Sequence, residues 1–546
     1  MKKYLLILII VLAFVLRFWK LDVYPAFNAD EAAIGYNAYS LIQTGRDEHG
    51  NSWPVHFQSF NDYKPGLYFY IVLPFVKVLG LNEWAVRLPG AFLGVLTVLI
   101  VYFLTNELFS HRQKFTIYNL QFSISEAAAF FLAISPWHIH FSRGGWEVNA
   151  ATFFITLGLL FLLKGLKSFR HLILASIFWV FAMYTYHAAR VVVPLLGLGV
   201  LLIYWSEIAK DLKKLILPVI LGVILLTPLG LDFTKGEVAS RAAGVGLFAD
   251  PGPLNRINEQ RGEHNDFENL PAKVFHNKAV NYGLAFLQNW AAHYHGEFLF
   301  LSGDDIERNK VPETGQMYLF DILFLAVGFI YICKNLDKGW KLILWWIIVA
   351  PTAAALTFQA PHALRAENMV VPLMVISAYG LVNLASLLKQ KNLIGGIWLL
   401  VIFIAWQFAR YEHMYWIHMA KEYPYSSQYG VKELVSYLLE NKERYKNVVV
   451  TDRYDQPYIL FLFYTKFDPL IFQKGHELTP KDGFGFSTVR SFDNYRFVSF
   501  GKWDDIRSEN SNSLIIGTSN EIPKEANIIK RIYGTNGFEY FDVVAN

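Results

Sequence analysis

The chain has 546 residues, 54% of them hydrophobic and only 17% charged, with a formal net charge of +4. That composition excludes an ordinary soluble enzyme and a strongly basic nucleic-acid binder, and it points to a polytopic membrane protein with no nucleic-acid partner. The single cysteine, Cys333, excludes an intrachain disulfide, and its apolar neighbours give no sign of thiol chemistry.

Met1-Lys2-Lys3 followed by the apolar run Tyr4 to Phe18 has the charge pattern of a signal peptide. No small-x-small cleavage site follows, and Arg17-Phe18-Trp19-Lys20 comes instead, so an uncleaved first span is expected. Further apolar runs lie near 84–105, 123–137, 147–164, 170–186, 191–206, 213–231, 317–334, 340–357, 368–388 and 393–410. With the run at 4–19 they make about eleven spans, each near the ~20 residues that cross a bilayer. The short loops holding Lys2-Lys3, His111 to Lys114, Lys164 to Arg170, Lys210 to Lys214, Lys334 to Lys341 and Lys389 to Lys391 are basic. The positive-inside rule places them, and the N-terminus, in the cytoplasm. The long segments 20–83 and 232–316, and everything after 410, then fall outside. The segment from Gly66 to Gly80 is short, interrupted by Pro74 and carries Lys77, so it reads as a helix in the outer interface. From about Ser426 the pattern turns to an amphipathic helix over Val431 to Tyr445, then strand-like runs at 446–451, 497–500 and 513–517. The expected architecture is a membrane domain over 1–424 and a small extracytoplasmic α/β domain over 425–546.

The informative polar residues gather on the outer side. The first outer loop carries Asp30, Glu31, Tyr63 and Lys64; the next junctions carry His138, His140, Arg143 and Glu147, then His187 and Arg190. The long loop adds His293, His295, Asp304 and Arg308, and the ninth-to-tenth junction adds His362, Arg365 and Glu367. Ionisable groups at membrane depth are costly unless paired or functional. Cations of this kind can hold a phosphate, Arg by bidentate hydrogen bonds and Lys as a point charge, while a carboxylate acts on a neutral nucleophile. Structural roles compete. Asp30 and Glu31 suit the cap and first turn of a helix over Ala32 to Leu41, Lys64 suits a solvated turn before Pro65, and Arg143 and Arg365 suit interfacial anchors. His138-x-His140 and His293-x-His295 lack a complete zinc ligand set, so no metal site is expected.

Several strings in order carry a family resemblance. Asp30-Glu31 follows the first span. Tyr63-Lys64-Pro65-Gly66-Leu67-Tyr68 is similar to a Lys-Pro-Pro-Leu-Tyr string, and Glu83-x-x-x-Arg87-Leu88-Pro89 opens the second span. Ser135-Pro136-Trp137-His138 to Arg143 and Pro361-His362-Ala363-Leu364-Arg365 follow. The chain resembles the GT-C glycosyltransferases of family 39, which include the protein O-mannosyltransferases and the lipid A aminoarabinose transferases. The resemblance is clearest over residues 1–200. It implies a polyprenyl-phosphate sugar donor, no further cofactor, and a protein, lipid or glycan acceptor. It implies Asp30 as catalytic base with Glu31 in support, and Lys64 on the donor phosphate; apart from the resemblance, the charges of Arg143 and Arg365 on the outer side make them further candidates for holding that phosphate. Tyr63, His138, Glu147, His187, Arg190 and His362 are the substrate-binding candidates. The chain departs from the family in having Lys-Pro-Gly for Lys-Pro-Pro, and Glu147 where an Asp is common. A transporter or flippase of lipid-linked sugars is the competing reading. Against it, the charges sit on one face and no paired interrupted spans stand out.

Overall fold

Each apolar run is helical in the computed structural model, which describes residues 2–60, 62–109, 114–117, 120–234, 244–264, 266–424, 428–441, 445–454, 456–480 and 487–546. Residues 111–113 of the expected basic loop and residues 425–427, where the expected boundary of the terminal domain falls, lie outside the described residues. The first helices are α1 (Lys2–Phe18), α2 (Ala29–Thr44), α3 (Leu67–Leu79), α4 (Glu83–Phe109), α5 (Ile124–Ile134), α6 (Pro136–Arg143), α7 (Glu147–Gly165), α8 (Phe169–Thr185) and α9 (Ala189–Ile203). Further apolar helices cover Lys213–Phe233, Leu319–Lys334, Lys338–Val349, Val370–Gln390 and Ile394–His413. Helices satisfy their own backbone amides, which a lipid environment demands.

Five helices among the described residues are long and apolar enough to cross a membrane: Glu83–Phe109, Glu147–Gly165, Lys213–Phe233, Glu367–Gln390 and Ile394–Glu422. Ala189–Ile203 and Trp205–Asp211, bent by 74°, make a sixth if taken as one span. The expected third span is two helices, because Pro136 carries no N–H and starts α6 just after α5 ends at Ile134. The run expected over 340–357 likewise stops at Val349, before Pro351. Only 17% of the apolar window of Lys213–Phe233 and 17% of that of Ile394–Glu422 is buried. Val219, Val223, Leu399 and Ile402 stay exposed on them. Contiguous apolar surface of this kind is at home against lipid.

The chain forms two compact units. The first holds Met1–Arg17, Phe92–Ser142 and Glu147–Glu412. Within it, Val370–Gln390 packs on Leu319–Lys334 and on α5. Glycine makes this crossing close: a Cβ on Gly380 would lie 1.8 Å from the Phe324 carbonyl oxygen, and one on Gly328 2.6 Å from that of Ile376. Small residues at a helix crossing allow such backbone approach.

The second unit holds Phe18–Ala91, Arg143–Trp146 and His413–Asn546. In it β1 (His56–Ser59) and β2 (Asp62–Pro65) form an antiparallel hairpin pairing Phe57 with Lys64. A two-stranded pair elsewhere is made by β3 (Lys114–Ile117) and β4 (Leu120–Ser123). The later strands are β5 (Asn447–Thr451), β6 (Glu477–Leu478), β7 (Val489–Phe492), β8 (Tyr495–Val498), β9 (Ser513–Gly517), β10 (Ile528–Tyr533) and β11 (Glu539–Ala545). They form one seven-stranded sheet in the order β10-β11-β9-β5-β8-β7-β6, with β5 parallel to both β8 and β9. Central β5 and β9 read as apolar runs because both their faces are covered. Helix Pro457–Thr465 packs on α2, and a Cβ on Gly35 would meet the Phe463 ring at 2.6 Å.

Candidate functional site

The two acids of the first loop have different environments, and the start of α2 explains why. The helix begins at Ala29, so the cap is Asn28 and not Asp30, and the helix starts three residues earlier than the sequence expectation. Asn28 Oδ1 accepts the Glu31 N–H at 3.1 Å, and Glu31 Oε2 accepts the Asn28 N–H at 3.2 Å. This reciprocal capping box fixes Glu31 in the third helical position. Its carboxylate is 1% exposed and receives Arg87 twice, Nε to Oε1 at 2.6 Å and Nη2 to Oε2 at 2.7 Å. The Gly145 N–H adds a third contact at 2.8 Å. Glu31 is therefore a buried, saturated acceptor that orders the loop. Asp30, one residue earlier, is left on the accessible side of the same turn.

Lys64 reaches Asp30 from β2. Its Nζ lies 2.5 Å from Asp30 Oδ1, with the Asp30 side chain 23% exposed and that of Lys64 9%. The ammonium also sits 4.8 Å from the centre of the Phe60 ring. Asp30 lies in the first turn of α2, where the helix dipole also favours its negative charge. The Lys-Pro-Gly departure has a local cause. The Gly66 N–H donates to the Val55 carbonyl at 3.0 Å, and a Cβ on Gly66 would sit 2.6 Å from that oxygen. Proline there would lose the bond and collide. Tyr63 is half-buried beside Lys64 on β2, paired with Gln58 in the hairpin register.

Arg143 does not present its guanidinium as a free phosphate ligand. It is fully buried and donates to the Tyr415 hydroxyl at 3.0 Å and to the carbonyls of Trp19 at 2.7 Å and Tyr24 at 3.0 Å. The Tyr415 and Trp416 rings stack against it. Arg87 binds the same loop, donating to the carbonyls of Leu21, Pro25 and Ala26. Two buried arginines thus hold the segment that leads into Asp30. The sequence reading gave Arg87 no role, although its Glu-x-x-x-Arg-Leu-Pro string was the available signal.

The remaining candidates belong to the first unit and form separate networks. Arg17 Nη2 donates to His138 Nδ1 at 2.7 Å, and both are fully buried. His140 donates from Nε2 to the Arg308 carbonyl at 2.8 Å, so the two histidines of His138-x-His140 have different partners. Among the described residues no three His, Cys, Asp or Glu side chains converge as a metal set. Arg190 Nη1 donates to His187 Nδ1 at 2.9 Å, and Glu147 is buried at the start of α7. His362 and Arg365 stand on a segment pinned by residues that sequence reasoning left without a role. Asp304 Oδ2 accepts the Ala363 N–H at 2.6 Å, and His293 Nε2 accepts the His362 N–H at 3.1 Å while its Nδ1–H donates to the Asn289 carbonyl at 2.8 Å. These bonds fix the neutral tautomer of His293, and burial lowers its pKa to about 4. Burial raises the Asp304 carboxyl above its usual range. Arg365 remains half-buried and donates to Thr357 Oγ1 at 2.7 Å.

This arrangement of helices and terminal sheet has counterparts among solved structures. ArnT from Cupriavidus metallidurans in the apo state superposes with a TM-score of 0.54 at 11% identity, over 99% of this chain and 98% of that one. The fold is that of the GT-C glycosyltransferases. The same ArnT bound to undecaprenyl phosphate matches this chain with a TM-score of 0.53 at 12% identity, over 98% of this chain and 97% of that one. The Archaeoglobus fulgidus oligosaccharyltransferase tethered to an acceptor peptide superposes at TM-score 0.49 and 13% identity, over 84% of this chain and 62% of that one. No protein-family model and no curated protein matches the sequence.

Proposed function

We propose that the protein is a membrane glycosyltransferase that moves a sugar from a polyprenyl phosphate to an acceptor hydroxyl at the outer membrane face. The observation that carries this reading is the Asp30–Lys64 pair at the start of α2, held by the saturated Glu31–Arg87 pair behind it. Its support from outside the chain is the GT-C fold and the undecaprenyl phosphate bound by ArnT.

In this reading Lys64 binds the donor phosphate as a point charge. An incoming phosphate competes with Asp30 for the Lys64 ammonium and so releases the carboxylate. Asp30 then takes the proton of the acceptor hydroxyl as that oxygen forms a bond to the anomeric carbon. The bond from the anomeric carbon to the phosphate oxygen breaks on the opposite face, and its electron pair leaves with the polyprenyl phosphate. Lys64 stabilises the charge that develops there. The displacement inverts the anomeric centre and needs one carboxylate, unlike the two-carboxylate retaining route. In this reading the displacement uses no metal or other cofactor. Glu31 and Arg143 position the loop, and neither touches substrate. In this reading the basic loops and the N-terminus face the cytoplasm and the terminal sheet lies outside.

The test gives purified protein in lipid a polyprenyl-phosphate sugar labelled in the sugar, together with a membrane extract as acceptor. Covalent transfer of label with release of polyprenyl phosphate is the expected result. Movement of the intact labelled lipid between leaflets without transfer would overturn the assignment in favour of a flippase.

A further inference from the structure

The unit that carries Asp30 and Lys64 also contains a polar, aromatic-walled cavity that the donor chemistry does not use. It encloses about 360 Å³, near the lower end of the ~300–1,000 Å³ of small-molecule sites. Its aromatic lining comes from Phe27, Tyr429, Tyr464 and Tyr533. Its polar lining includes Glu83, which pairs with Lys432 at 2.5 Å and hydrogen-bonds the Tyr464 hydroxyl. Asp22 and Glu433 add negative charge.

This lining selects among ligands. A lipid tail would lie against the Glu83–Lys432 and Glu433–Lys530 ion pairs and the Asp22 carboxylate, and would displace water from these charges without returning a hydrogen bond. A phosphate or uronate would meet more acids than bases. A pyranose without an anionic group suits both surfaces, because its C–H face lies on aromatic rings and its hydroxyls reach carboxylate, amide and ammonium groups. The cavity also abuts the reactive turn. Phe27 lines it just before the Asn28 cap, and Gln428, another lining residue, accepts the Ala29 N–H at 2.6 Å. Ala29 immediately precedes Asp30.

We propose that this cavity binds a non-anionic pyranose of the acceptor, so that the acceptor is a glycan or glycolipid whose sugar docks between Tyr464, Tyr533 and the Glu83–Lys432 pair. The assignment of the sugar as acceptor rests on the glycosyltransferase reading; the saccharide site itself does not.

Saturation-transfer NMR on the full-length protein in nanodiscs tests it, with methyl mannopyranoside, glucopyranoside and galactopyranoside as probes and methyl glucuronide as the anionic control. Wild type should give transfer to at least one neutral glycoside and weaker transfer to the glucuronide. Tyr533 is 50% exposed, so Tyr533→Ala leaves the fold intact and should weaken binding about tenfold, the loss of roughly one aromatic contact. Ser436→Trp, on the exposed side of helix Val431–Asn441, should fill the cavity and abolish binding. Asp30→Asn should bind the glycoside as wild type does while losing sugar transfer. Absence of binding to every glycoside, binding untouched by both cavity variants, or a lipid retained in the cavity would overturn the proposal. Glycoside binding by a wild type that transfers no sugar would keep the site and overturn the enzyme reading.

Discussion

Two adjacent carboxylates divide into unlike roles because a helix start gives them unlike surroundings. Glu31 falls at the position that closes the capping box and meets Arg87, whereas Asp30 projects toward Lys64. The adjacency was legible in the sequence, and the family resemblance already set Asp30 as base apart from Glu31 as support; the physical cause of the division was not legible, since it depends on Asn28 being the cap and on Arg87 arriving from α4. Arg143 shows the same gap. Its charge on the outer side pointed to phosphate, but which carbonyls surround it is a tertiary fact. Glu31→Gln leaves the Arg87 charge buried without its counter-ion, and breaking such a pair costs about 3–5 kcal/mol. The expected outcome is a clear drop in melting temperature and in monodisperse yield. Gly66→Pro is expected to destabilise the hairpin that carries Lys64, because it removes the bond to Val55 and places atoms against its carbonyl. A thermal melt of that variant equal to wild type would contradict the explanation of the departure.

At the scale of elements, the 3.6-residue and apolar-run signals located the helices well; the strand runs expected at 446–451 and 513–517 meet β5 and β9, while that at 497–500 shares only Phe497 and Val498 with β8. Breaks at Pro136 and after Val349 were missed because hydropathy averages over them. The segment at 361–365 shows an element held by buried polar groups. His293 accepts the His362 N–H only while neutral, and its pKa falls from the ordinary 6.5 to about 4. The unfolded chain therefore binds a proton between these values that the folded chain refuses, so stability contributed by His293 is complete above about pH 6.5 and is lost as the pH falls toward 4. Comparing melts at pH 7.5 and pH 5 for wild type and His293→Gln isolates this term. Wild type should lose more stability on acidification than the glutamine variant, which keeps a neutral acceptor and shares the opposing influence of Asp304. Equal losses would exclude the role assigned to His293.

For the whole molecule, composition and charge pattern gave the membrane class, and the ordered strings gave the GT-C resemblance that the fold bears out. The unit to which each segment belongs was not legible. Pro457–Thr465 packs against α2, so the sheet-bearing segment shares a core with the loop that carries Asp30. A chain ended at residue 430 is expected to aggregate on purification, because it exposes the face of α2 around Gly35. A monodisperse, thermally stable truncation would contradict that shared core. The central claim, that Asp30 is the base and Lys64 the phosphate ligand, is tested most directly by donor turnover and donor binding measured side by side. Asp30→Asn should lower kcat by about 10²–10⁴-fold, the usual contribution of a general base, with donor affinity kept or increased because Lys64 loses its internal competitor. Lys64→Ala should instead weaken donor binding. Turnover by Asp30→Asn equal to wild type would contradict the account.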